Sequence, residues 1–243
     1  MSFRLLAALV AAVVVAAGCG TVRAGHGSAT LWVTRDQGAK LVFAGTVPAG
    51  LTVIEALERK TKVETSYGGR FVQAIDEIAG NKTAEIDWFY YVNGREADVG
   101  AAEENVRPGD IVWWDYRSWK RQMDVPAVVG AFPDPFLRGW DGHHHPVVLR
   151  YPPALSGAAR ALRRLFGSGG GGAANSFVLA VAPRVLGAVL TASGGASSDS
   201  PTSFRLIGSR TAVLAAASAL AHDPAIVRFR YTARFDARGQ VVG

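Results

Sequence analysis

Cysteine is nearly missing from this chain: Cys19 stands alone among 243 residues. No intrachain disulfide can form, so stability must come from packing. Long apolar runs are scarce as well. Leu5 to Ala17 falls short of the roughly 20 apolar residues that a membrane-crossing helix needs. Motifs for chemistry are equally thin. Gly169 to Gly172 is followed by no Gly-Lys-Ser or Gly-Lys-Thr, so a phosphate cradle is not supported. Ser66 and Ser118 lack the flanking glycines of a nucleophile elbow. The carboxylate pairs Asp76/Glu77 and Glu103/Glu104 sit beside turn-forming or exposed residues and read as solvated charge. In the run His143-His144-His145, consecutive side chains of an extended loop point in alternating directions. No more than two of them readily share an ion, and the nearby carboxylate is Asp141, so the run reads as a solvated loop. The expectation is a protein that is not an enzyme and carries no resident metal or cofactor.

What is present begins at the N-terminus. Arg4 supplies a positive charge, Leu5 to Ala17 an apolar run, and Ala16-Ala17-Gly18-Cys19 resembles a lipobox. Residues 1–18 read as a lipoprotein signal peptide, with cleavage before Cys19 and acylation of its thiol. Residues 19–28 then form a short tether of small and polar residues. This predicts an exported protein anchored through Cys19 to the outer face of a bacterial cell membrane, with the lipid membrane as its first partner.

The chain is organised around Ile86 to Trp119, which holds four of the six tryptophans. Asp87-Trp88-Phe89-Tyr90-Tyr91-Val92 reads as a strand. Asn93-Gly94 suits a turn with two positive φ values, and Pro108-Gly109 suits a type II turn. Ile111 to Tyr116 is a second strand. Alternation places Trp88, Tyr90 and Val92 on one face and Phe89, Tyr91 and Asn93 on the other. In the second strand it separates Val112, Trp114 and Tyr116 from Trp113 and Asp115. An unpaired buried charge is costly, so Asp87 and Asp115 mark the wet sides. Phe89, Tyr91, Asn93, Trp113 and Asp115 then define a solvent-facing aromatic patch for a ligand or partner.

At these residues the chain resembles a known family. Gly-x-Thr-Val-x-x-Ala-Leu at Gly50 to Leu57, Trp-x-Tyr-x-Val-Asn-Gly at Trp88 to Gly94, and Gly-Asp-x-Val at Gly109 to Val112 follow in order. They are similar to the transcobalamin-like β-grasp domain of cobalamin carriers and bacterial surface lipoproteins. The resemblance spans roughly residues 29–119. It implies a β-grasp fold and makes a corrinoid such as cobalamin the leading ligand, with Phe89, Tyr91 and Trp113 in apolar contact and Asn93 and Asp115 bonding to ligand amides. In the carriers a helical barrel domain forms the second jaw, and this chain has no such domain.

Around that centre the reading is α+β: a β-grasp domain over 29–119, an ordered connector over 120–145, and a second small α+β domain over 146–243. In the first domain, strands at Ala29–Thr34 and Leu41–Val47 precede a helix opened by a Thr52/Glu55 capping box. A strand over Phe71–Ile78 follows. The connector holds Pro126, Pro133 and Pro135 yet is apolar enough to pack against its neighbours. In the second domain, strand, helix, strand, strand, helix, strand over Val147–Tyr151, Leu155–Phe166, Ser176–Ala182, Phe204–Ile207, Arg210–Ala221 and Ala225–Phe235 suggests a ferredoxin-like order. The glycine- and serine-rich stretches 167–175 and 193–203 read as flexible loops. Charge divides with the halves. Residues 29–119 hold 10 Lys or Arg against 14 Asp or Glu, net −4, and residues 120–243 hold 14 against 6, net +8. The halves could dock on each other, or the basic half could face an anionic membrane; an exported lipoprotein does not normally meet nucleic acid. Three readings compete: a corrinoid-binding lipoprotein serving uptake, an envelope interaction module docking a transporter or similar partner, and an aromatic face buried within the chain under Val125 to Trp140.

Overall fold

The computed structural model describes residues 27–67, 69–166, 175–195, 197 and 200–242. The stretch expected to be a signal peptide, Cys19 and most of the expected tether lie outside the described residues, as do 167–174 and parts of 193–203, the two stretches expected to be loops. The fold is α+β, and among the described residues it is built on two five-stranded sheets and one three-stranded sheet.

The first half contains β1 (Ser28–Arg35), β2 (Lys40–Pro48), α1 (Val53–Glu58), β3 (Val63–Ser66), β4 (Phe71–Ile75), β5 (Ile78–Ala79), β6 (Ile86–Val92), β7 (Arg95–Glu96) and β8 (Ile111–Ser118). Its main sheet has the order β2-β1-β8-β6-β7, with β1 and β8 parallel at the centre and the other pairs antiparallel. This is the β-grasp arrangement, in which α1 crosses one face of the sheet. The helix starts where the capping box predicts: Thr52 Oγ1 accepts from Glu55 N, and Glu55 Oε2 accepts from Thr52 N at 2.8 Å. Its residues Val53, Ile54, Ala56 and Leu57 are buried against Trp88, Tyr90, Val112 and Trp114. The expected strand over Phe71–Ile78 is instead two strands of a small side sheet, β3-β4-β5. Asp76 and Glu77 take φ values of 46° and 69° and fold it into a hairpin. Asn93 and Gly94, at φ 48° and 82°, make the expected tight turn between β6 and β7.

The connector is ordered. It carries α2 (Asp134–Leu137), and Val128, Val129, Ala131, Phe132 and Phe136 are buried. Phe132 and Phe136 reach into the second half, where their rings meet Phe166 and Phe204 at 5.0–5.8 Å.

The second half comprises β9 (Val147–Arg150), α3 (Ser156–Phe166), β10 (Asn175–Val181), β11 (Ala188–Ser193), β12 (Ser203–Gly208), α4 (Arg210–His222) and β13 (Ala233–Phe235). Its sheet runs β13-β11-β12-β10-β9, with β9, β10 and β12 parallel neighbours. The ferredoxin-like order is therefore corrected. The apolar run Ala188–Ala192, unassigned from sequence, is a fifth strand, and β9 lies directly beside β10. The long last strand expected over Ala225–Phe235 shrinks to β13. Pro224–Val227 forms a 3-10 turn capped by Asp223, and Phe229 takes a left-handed φ of 61° that extended backbone cannot contain. α3 and α4 cover one face of this sheet through Ala158, Leu162, Ala212, Ala216 and Leu220.

Candidate functional site

Alternation assigned the two faces of β6 and β8 correctly, but the patch expected to face solvent does not. Tyr91, Asn93, Trp113 and Asp115 are buried and Phe89 is half-buried. Tyr91 and Trp113 form a third core with Trp32, Val128 and Ala131, against which Phe89 packs together with Val125 of the connector and Phe229 and Tyr231 of the second half. Asp115 misled because its charge, though buried, is not unpaired. Its Oδ1 accepts from Thr34 Oγ1 at 2.5 Å and Gly38 N at 3.1 Å, and its Oδ2 accepts from Tyr231 Oη at 3.0 Å. Burial nevertheless outweighs these donors and holds its carboxyl above the usual aspartate range.

The network continues outward. Trp113 Nε1 donates to Thr34 Oγ1 at 2.7 Å, and the hydroxyls of Tyr91 and Tyr231 share a hydrogen bond of 2.9 Å. Arg117 Nε donates to Tyr91 Oη, its guanidinium lies 3.6 Å above the Phe89 ring, and it pairs with Glu96 at 2.8 Å. Glu96 is still pushed up, because desolvation exceeds the pull of Arg117. Asn93 fixes its own turn: Oδ1 accepts from Ile111 N, and Nδ2 donates to Asp110 Oδ1 and to the carbonyl of Gly139. Phe89, Tyr91, Trp113 and Asp115 are thus brought together by this network while Asn93 serves the adjoining turn, and the partners named for all five are parts of the same chain.

An open site lies at the rim of the same sheet. β7 pairs with β6 only at Tyr91 and Val92, and beyond it a cleft of about 300 Å³ opens between β6, the loop 97–101 and β4. Trp88, Tyr90 and Trp114 form its inner wall, and Phe71 and Val99, 47% and 41% exposed, its outer lips. Tyr90 and Trp114 stack at 5.0 Å. Trp88 Nε1 donates to the Ile78 carbonyl and Tyr90 Oη to the Val99 carbonyl, so these bonds tie the side sheet and the loop to the wall. Arg70, Glu96 and Asp124 stand around the cleft. Burial, with the charges of Glu104, Asp98 and Glu103, pushes the Tyr90 hydroxyl well up. The sequence holds one missed signal for this site: within β4, Phe71 shares a face with the polar Gln73, an aromatic on a wet side.

Two further features lie apart from the cleft. Arg95 is buried, stacks over Trp140 at 4.8 Å, and donates to the carbonyls of Gly195 and Ser197 across the two halves. In the histidine run, His145 stacks on Trp140 at 4.1 Å and its Nε2 is 2.9 Å from Asp141 Oδ1, while His143 Nδ1 is 3.7 Å from the same oxygen. Among the described residues, no group of three or more His, Cys, Asp or Glu is arranged to hold a metal ion.

Comparison with known proteins adds the following. Residues 50–118 match a domain family of unknown function, DUF4430. No curated protein matches the chain. A protein of Ruminococcus gnavus, described as a candidate metal-binding protein, aligns over 38% of this chain and 97% of its own, with 16% identity and a TM-score of 0.32. Haptocorrin, in a complex with Cbi, aligns over 37% of this chain and 25% of its own, with 17% identity and a TM-score of 0.30.

Proposed function

We propose that the protein is a membrane-anchored extracytoplasmic lipoprotein that binds a small ligand without transforming it. The observation carrying this reading is the aromatic cleft of about 300 Å³, whose apolar lips Phe71 and Val99 face solvent beside a wall of Trp88, Tyr90 and Trp114. That volume stands at the lower end of small-molecule sites, roughly 300–1,000 Å³. The ligand is therefore a flat apolar body or the edge of a larger one. Given the ordered motifs at Gly50–Leu57, Trp88–Gly94 and Gly109–Val112, a corrinoid is the leading candidate, taken at the cleft and not at the buried face. Lipidation at Cys19 keeps the body at the membrane, where handing ligand to a transporter serves uptake.

The test is tryptophan fluorescence of the chain from Gly20 onward, titrated with cobalamin and cobinamide and corrected for their absorbance. Saturable micromolar quenching that weakens at least tenfold in Phe71→Ala supports the reading. Absence of saturation with either compound sinks the corrinoid assignment. One observation favours a second reading, an envelope interaction module: Tyr67, at the tip of the β3–β4 hairpin, is 84% exposed and sits on the same small sheet as Phe71. Crosslinking from position 67 in cell envelopes that captures a discrete protein, without any corrinoid response, selects that reading. Labelling cells with a radioactive fatty acid tests the anchor separately, since Cys19→Ser must abolish incorporation.

A further inference from the structure

The second half turns one sheet face to its helices and, among the described residues, leaves the other without them. On the helix side Phe177, Leu179, Leu190, Phe204 and Leu206 are buried. Their alternates form a grid in register on the opposite face. One row runs Arg150, Val178, Arg205, Thr191, and the next runs Ala180, Ile207, Val189, Arg234. The three arginines are exposed and the apolar residues between them part-exposed. None of the three forms an ion pair among the described residues, and no described strand residue of this face is acidic. At one end of the sheet, the loop between β10 and β11 carries Arg184, Val185 and Leu186, all exposed, with Leu186 93% exposed. A leucine this bare, in a loop with Arg184 at one end of a basic sheet, fits a surface that is anionic outside and apolar just beneath.

We propose that this sheet face docks on an anionic lipid bilayer, with Arg150, Arg205 and Arg234 against headgroups and Leu186 inserted at the interface. A second copy of the chain meeting this face with its own is disfavoured by like charge, and neither the acidic half of another copy nor a soluble polyanion offers an apolar layer for Leu186 to enter. The eight peptide links from Cys19 to Gly27 reach at most roughly 28 Å, so a lipid anchor would hold the folded body close to the membrane. The inference takes from the preceding reading only that the chain is held at a membrane. Failure here leaves the cleft untouched.

The experiment is co-sedimentation of the chain from Gly20 onward with vesicles of phosphatidylglycerol mixed with phosphatidylcholine, and with vesicles of phosphatidylcholine alone. Binding is expected only to the mixed vesicles. It should fall on the order of 100-fold in the triple variant Arg150→Gln/Arg205→Gln/Arg234→Gln and several-fold in Leu186→Ser. It should survive in the charge-matched helix variant Arg160→Gln/Arg163→Gln/Arg210→Gln. Circular dichroism and melting check that each variant folds, and the corresponding triple Arg→Lys variant, which keeps the charge, should still bind. Equal losses in both glutamine triples, no binding by the unmodified chain, or heparin binding as tight as vesicle binding and indifferent to Leu186→Ser would each overturn the proposal.

Discussion

At the scale of single residues, Asp115 and Tyr231 decide how the two halves hold together. Tyr231 Oη donates to Asp115 and shares a hydrogen bond with Tyr91, so Tyr231→Phe leaves both partners short of one bond in a buried place. The expected cost is about 1–3 kcal/mol in urea unfolding; a loss near zero would mean that water replaces the hydroxyl. Asp115 gives a pH dependence of definite sign. Burial holds its folded-state value above the ordinary 3.8, so the folded chain binds this proton more tightly than the unfolded chain. Its contribution is fully present below pH 3.8 and is lost as pH rises through the raised folded value. Glu96, Asp110 and Asp134 shift the same way by desolvation, while Glu55 and Asp141 oppose them. Unfolding free energy should therefore rise as pH is lowered through the raised folded-state value of Asp115 toward 3.8, with a slope that Asp115→Asn reduces. Arg95 poses the opposite question. Its Nε and Nη1 are buried with no acceptor among the described residues, so Arg95→Met, which keeps the stem on Trp140 and drops the charge, should leave stability within about 1 kcal/mol or raise it. A loss above about 3 kcal/mol would instead give the weight to its bonds with Gly195 and Ser197.

At the scale of elements, the join is made by close approaches of backbone. Gly38 stands at φ 83°, and a Cβ there would run into the carbonyl of Phe229. Gly38→Ala should cost about 1–3 kcal/mol from the backbone conformation alone, and more from the clash. Equal stability in thermal melts would show that the 228–232 segment yields freely. Local patterns carried much of this half in the sequence: the Thr52 capping box, the Asn93-Gly94 turn and the alternation of β6 and β8 each depend on near neighbours and could be read directly. Burial of the second face of β8 depends on Tyr231, more than a hundred residues away, and on a backbone bond from Gly38. Nothing near Asp115 announces them. For the same reason β13 was misread: Ala225–Phe235 alternates like a strand, but Pro224 and the left-handed Phe229 commit most of it to covering Trp113. The open cleft went unread because its lips, Phe71 and Val99, come from separate elements.

At the scale of the whole molecule, the shared core makes a prediction about cooperativity. Each half has its own hydrophobic core, one around α1 and one around α3 and α4. Between them lies the cluster of Trp32, Tyr91, Trp113, Val128 and Ala131, and the connector adds Phe132 and Phe136 to the second core. Trp113 is fully buried, contacts Trp32, Tyr91 and Tyr231 at ring distances of 5.6–5.9 Å, and lies against Gly130. Two domains joined only by a linker unfold independently, whereas domains sharing a desolvated core unfold together so long as that core outlasts either one. The chain from Gly20 onward should show a single calorimetric transition whose measured enthalpy equals the van't Hoff enthalpy. Trp113→Ala removes one of the two tryptophans of the shared core, the fully buried one, at a cost of about 3–5 kcal/mol. Because that cost falls on the join more than on either flanking core, the variant should melt in two resolved steps. A single sharp transition at lower temperature would place the tryptophan's contribution within the β-grasp half alone. Two transitions in the unmodified chain would mean that the halves are coupled only weakly, so that the face carrying Phe89, Tyr91 and Trp113 opens to solvent before the β-grasp core melts.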